Sequence, residues 1–211
     1  MNDDTIAQHC TKLGSATNRG ELAREIAAIA LSYSPTDLKK MRWNFSGSLQ
    51  GTSPEYRRRL EEMITGHLHG TYQALLLAHR QGTYAHQKAP LHPDAGRYWT
   101  MVATQCSHGN DEQIRLRFLK FLLAAFCMFV QDLPAHPVGM PFPGGDTVES
   151  VDGVYYCPVR EKANDVDAAL CPFCPALQTP EMGYLRPPIN PSKQRKQEYL
   201  RQCHDFHHFN G

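Results

Sequence analysis

The sequence predicts a mainly α-helical protein: a helical bundle-like domain with a small β-hairpin and a cysteine-rich metal-binding segment. Three observations predict it. Helix-start signals recur ahead of apolar stripes of helical spacing through residues 1–131. Proline and glycine then crowd the stretch from Pro134 to Gly145 and exclude helix there. Beyond it, three cysteines each stand directly before a proline, in Tyr156-Cys157-Pro158 and Leu170-Cys171-Pro172-Phe173-Cys174-Pro175. A residue preceding proline is pushed into extended conformations, so these sulfurs are presented from stiff, non-helical backbone.

The elements follow in order. Asn18 and Glu21 form a capping-box pair ahead of Leu22, Ile26, Ile29 and Tyr33, an apolar stripe at helical spacing. Ser34-Pro35 closes that helix and opens another, because serine is a good N-cap and proline suits the first helical position; Leu38, Met41, Phe45 and Leu49 mark its inner face. Ser53-Pro54-Glu55 repeats the signal for a helix carrying Leu60, Ile64, Leu68 and Leu75, with a bend expected near Gly66 and Gly70 and an end around Gly82. Asn110 and Gln113 start the helix of Ile114, Phe118, Phe121, Leu122, Ala125 and Phe129. It is apolar nearly all round, which marks it as the central one.

The proline-rich stretch from Pro134 reads as a loop laid over the surface. Val148–Val151 and Val154–Cys157, joined by Asp152-Gly153, read as a hairpin with a tight primed turn. If Val151 pairs with Val154, Cys157 falls opposite Val148 on the face of Tyr155. A second proline-rich connection, Thr179 to Pro191, leads to a terminal helix started by Asn190-Pro191. The organisation expected is one domain over residues 1–211: a helical core at 1–131, the hairpin and cysteine-rich segment at 132–180, and the terminal helix at 190–209.

Composition bounds the function classes. Hydrophobic residues make up 41% and charged residues 20%, and a net charge of +1 gives no global drive toward nucleic acid or anionic membrane. Met1-Asn2-Asp3-Asp4 has neither the basic nor the apolar region of a secretory signal, so the seven cysteines are read as reduced thiols in a cytoplasmic protein. Phe121 to Val130 is wholly apolar but about half the roughly 20 residues that cross a bilayer, so no membrane span is expected. The basic residues Lys193, Arg195, Lys196 and Arg201 read as a solvated face. An interaction protein presenting them to a partner is a third function class, and no partner is named by the sequence.

Clustered cysteines in a reducing compartment point to metal. Structural zinc takes four cysteine or histidine ligands, two of them often from a CxxC knuckle. Cys171 and Cys174 supply the knuckle and Cys157 a third thiolate. For the fourth, Cys203 is favoured over His136, because it shares the inward face of the terminal helix with Leu200 and Phe206. Zinc is the expected ion and an iron–sulfur cluster the alternative, since thiolate suits both. With four thiolates zinc keeps no open position, so no catalytic residue is assigned and enzyme activity is left open. The competing class is a CxxC thiol redox protein using Cys171 and Cys174, although the surrounding sequence lacks a βαβ pattern. His67 and His69, two apart on a helix, are expected to be exposed, as are His204, His207 and His208 near the end.

The strings His136-Pro137-Val138-Gly139, Pro141-Phe142-Pro143-Gly144-Gly145, Gly153-Val154-Tyr155-Tyr156-Cys157-Pro158-Val159 and Leu170-Cys171-Pro172-Phe173-Cys174-Pro175 resemble an archaeal family found largely in methanogens, domain-of-unknown-function family 2115. The resemblance covers residues 133 to 178. It implies a cytosolic protein of an anaerobe, which favours iron–sulfur chemistry more than composition does. It carries over no activity and no functional residue.

Overall fold

Helices start where side-chain oxygens can meet the unpaired N–H groups of a first turn. The computed structural model describes residues 3–49, 53–84, 86–142, 145–161 and 170–180. Among them the order is α1 (Asp3–Gly14), α2 (Arg19–Ala30), α3 (Pro35–Ser48), α4 (Pro54–Gln81), α5 (Ala95–Gln105), α6 (Asp111–Ala125), a π-turn (Phe126–Val130), β1 (Glu149–Val151), β2 (Val154–Cys157), a 3-10 turn (Cys171–Phe173) and β3 (Leu177–Gln178). The protein is mainly helical with a small three-stranded sheet.

The start signals are met by specific bonds. Asn18 Oδ1 accepts from Glu21 N, while the Glu21 carboxylate accepts from the backbone and hydroxyl of Thr17, one residue before the expected box partner. Asp37 accepts from Ser34 N at the head of α3, and Asn110 and Gln113 bond reciprocally at the head of α6. Helix α4 runs uninterrupted through Gly66 and Gly70 and ends at Gly82 in the left-handed region. Gly20 sits where a side chain could not, because a Cβ there would lie 2.3 Å from the Tyr84 carbonyl and 2.7 Å from that of Gln87. That close approach clamps the head of α2 to the 84–90 segment through Arg19 N to Ala89 O and Gly20 N to Gln87 O.

Helix α6 is buried on nearly every side, as its all-round apolarity predicts, and Phe118, Phe121, Leu122 and Phe126 are completely inaccessible. Tyr98 stands at the centre of an aromatic cluster, edge-on to Trp99, Phe121 and Phe129, with its hydroxyl donating to Phe121 O at 2.7 Å. Two helices have no counterpart in the sequence reading, α1 and α5, and they pack chiefly on each other. The reason is local. Asp94, ahead of α5, spends its carboxylate on Arg97 and makes no cap bond, and the α1 stripe is only Ile6, Cys10 and Leu13.

The hairpin has the expected register, with Val151 opposite Val154 and Glu149 opposite Tyr156. Asp152 and Gly153 both take positive φ, 50° and 85°, as a primed turn requires. Strand β3 was not legible in the sequence; it pairs parallel to β2, Tyr156 with Leu177 and Cys157 with Gln178. The segment after Pro134 is non-helical but does not simply cover the surface. Pro134, Ala135, Met140 and Pro141 are buried, because Gly139 N bonds Val148 O and Val148 N bonds Met140 O, drawing the loop under the hairpin. The expected terminal helix and its basic residues lie outside the described residues. No described helix is long and apolar enough to cross a membrane.

Candidate metal centre

Strand pairing brings the cysteines together. Cys157 ends β2 and accepts through its carbonyl from Thr179 N, just beyond β3. Between the strands, Cys174 N donates to Cys171 O, closing the CxxC into a tight turn. Gln178 Nε2 donates to Pro158 O, and Arg160 Nε donates to Ala176 O, so both sides of the crossing are tied. Phe173, inside the CxxC, packs edge-on against Tyr98 at 5.2 Å, which anchors the turn to the helical core.

Cys157 and Cys171 are buried and Cys174 is half-buried. Burial pushes the Cys157 thiol up, and the neighbouring Cys171 and Cys174 add to it. Burial likewise raises Cys171, with Cys174 contributing and Arg160 opposing. The three thiols are therefore electrostatic neighbours. They are not drawn into a coordination shell: among the described residues, no set of three or more His, Cys, Asp or Glu side chains converges to hold a metal ion. Cys203 lies outside the described residues.

His136 faces elsewhere. Its ring packs edge-on to Phe142, and its charged neighbours are His67 and Lys120. His69 is exposed as expected, but His67 is half-buried, its ring bonded to the Ala135 backbone and its Nε2 3.8 Å from Cys127 Sγ. The two-residue spacing correctly separates their faces; what it could not show is that the 134–136 segment covers one of them.

Beside the CxxC lies a cavity of about 470 Å3 lined in part by Arg19, His92, Asp94, Asp132, Arg160 and Cys174. Its wall includes Met128 and Phe129 of the π-turn. Asp132, just after that turn, has φ of 55° and holds Arg19 at 2.5 Å. No sequence signal marked this place, since neither a π-turn nor a left-handed aspartate has a local pattern of its own.

Core and site together define a helical protein carrying a thiol-bearing sheet at one side of its core. The chain belongs to domain-of-unknown-function family 2115, described as an uncharacterized protein conserved in archaea, which it matches over residues 18–179. Among its relatives, a UPF0305 protein of Methanothermobacter thermautotrophicus is 49% identical over 59 residues, 28% of this chain and 38% of that protein. One of Methanopyrus kandleri is 43% identical over 86 residues, 41% of this chain and 61% of that protein. One of Methanococcus maripaludis is 30% identical over 71 residues, 33% and 43% of the respective chains. The matches thus span less than two thirds of these relatives' length. No solved structure matches the chain.

Proposed function

We propose that the protein binds a structural metal, zinc by preference, through Cys157, Cys171 and Cys174, with Cys203 completing the shell, and that it works in the cytoplasm. The observation carrying this is the parallel pairing of β2 with β3, which sets Cys157 beside the closed turn of Cys171 and Cys174. Thiols that oppose one another's ionisation become favourable neighbours once a divalent cation lies between them, and the cation would draw them to bonding distance. An iron–sulfur cluster is the alternative occupant of the same thiolates. With all four positions taken the metal holds structure and binds no substrate.

Elemental analysis of anaerobically purified full chain tests this. About one zinc per chain, or iron with matching sulfide, is expected, falling in Cys157→Ser and Cys171→Ser; stoichiometric absence of both metals would sink the reading. Metal content should also fall in Cys203→Ser and hold in His136→Ala, and the opposite pattern would transfer the fourth position to His136.

A thiol redox role is the second reading, supported by the position of Cys174 on the wall of the 470 Å3 cavity. The buried, raised thiol of Cys171 weighs against it, because the thiolate is the nucleophile. Reduction of a model disulfide by the native chain, dependent on both Cys171 and Cys174, would favour this reading over the metal.

A further inference from the structure

A second cavity, of about 360 Å3, gathers nitrogen bases rather than thiols. Helix α4 supplies His67, α6 supplies Lys120 and the segment after the π-turn supplies His136, against apolar walls that include Phe45, Leu123 and Leu170. Among the described residues no carboxylate lines it. His67 is committed to the Ala135 backbone on one side and lies 3.8 Å from the Cys127 thiol on the other. That thiol is itself 3.4 Å from Thr71 Oγ1, so His67 is held in place. His136 is different: half-buried in the wall, it packs edge-on against Phe142, and neither ring nitrogen has a hydrogen-bond partner among the described residues. Lys120 has only the Phe121 ring face for its ammonium, at 4.8 Å, and no carboxylate partner among the described residues.

Burial and the like-signed neighbours His67 and Lys120 push His136 down to about 4. A pocket wall that gathers nitrogen bases and no carboxylate beside apolar side chains is suited to an anion with an apolar body. The volume lies at the small end of the roughly 300–1,000 Å3 range of ligand pockets, and most of the lining is apolar.

We propose that this cavity binds a small monocarboxylate with an apolar body. The carboxylate accepts from the Lys120 ammonium and a His136 ring N–H, while the body lies along Phe45, Leu123 and Leu170. A phosphate fits less well, since its charge on all sides would leave oxygens facing the apolar wall.

Calorimetric titration of the full chain with hexanoate and with hexanamide, its neutral counterpart of similar shape, tests the proposal. Hexanoate should bind at least about tenfold more tightly than hexanamide, the size of a charge-assisted hydrogen bond. Lys120→Gln and His136→Gln should each weaken hexanoate by about tenfold with the helical circular dichroism intact. If His136→Gln does not fold, Lys120→Gln decides alone, because Lys120 lies on an exposed position of α6. Equal affinity for acid and amide, undiminished hexanoate binding in folded Lys120→Gln, no hexanoate binding, or displacement of hexanoate by inorganic phosphate would each overturn it.

Discussion

The helical body and the thiol-bearing sheet are stabilised by different means. In the body, Tyr98, Trp99, Phe118, Phe121 and Phe126 share one continuous apolar core. Burying each such side chain is worth about 1.5–3 kcal/mol, so the region can hold itself. The sheet has strands of two to four residues and only small clusters, Val151 with Tyr156 on one side and Val148, Cys157 and Ala176 on the other, the latter leaning on Leu60 and Met140. It borrows the surface of α4 and the aromatic contact of Phe173. The comparison teaches that the cysteines lie where the protein has least core of its own, which is where a metal staple gives most.

Removing the proposed metal is the largest expected perturbation. Structural zinc contributes about 10–16 kcal/mol of apparent binding free energy in small peptides, against about 5–15 kcal/mol for the whole stability of a domain. Chelation should therefore release hydrogen-exchange protection across residues 145–161 and 170–180 while helical circular dichroism persists. Loss of both together would break the comparison and show that the sheet holds the body as much as the reverse.

Phe121→Ala addresses the other side. It empties the core beneath Tyr98 and should cost about 3–5 kcal/mol of global stability, read as a lower urea midpoint, with metal content per folded chain unchanged. A coupled fall in metal content would mean that the Tyr98–Phe173 contact transmits core damage to the thiols.

Acid tests the junction of the two regions, where His136 lies. Its folded value of about 4 is below the ordinary 6.5, so the unfolded chain binds more protons between those values and stability rises with pH there. Lowering pH from about 6.5 to 4 should therefore remove up to about 3 kcal/mol, and His136→Gln should flatten that part of the profile. Burial depresses His67 as well, in the same direction. An unchanged profile in the variant would place the acid sensitivity elsewhere.

The smallest effect is confined to the sheet. Gly153→Ala puts a side chain on a residue with φ of 85° and should cost about 1–2 kcal/mol, seen as faster exchange in β1 and β2 with α6 unaffected. Equal loosening of α6 would show that hairpin and body open as one unit, the behaviour expected of a single domain.

Much of this division was legible beforehand. The caps at Asn18, Ser34, Ser53 and Asn110, the burial of α6 and the Asp152-Gly153 turn rest on short-range signals that a sequence displays directly. Helix α5 was missed because its head carries no capping bond, and β3 because two residues are too few to show a period. For the candidate site, the three cysteines of residues 157–174 were visible as chemistry, but their closeness depends on a parallel pairing across a connection of many residues.

By itself, then, the sequence determined where helices begin, which helix is innermost, where the chain turns and which residues carry thiols, because caps, periodicity and turn preferences act over a few residues. Tertiary structure alone decided that Phe173 docks on Tyr98, that Asp132 holds Arg19 beside the CxxC, and that His67, Lys120 and His136 meet at one cavity. Those contacts join residues far apart in the chain, and their energy appears only when the packed core fixes both partners in place.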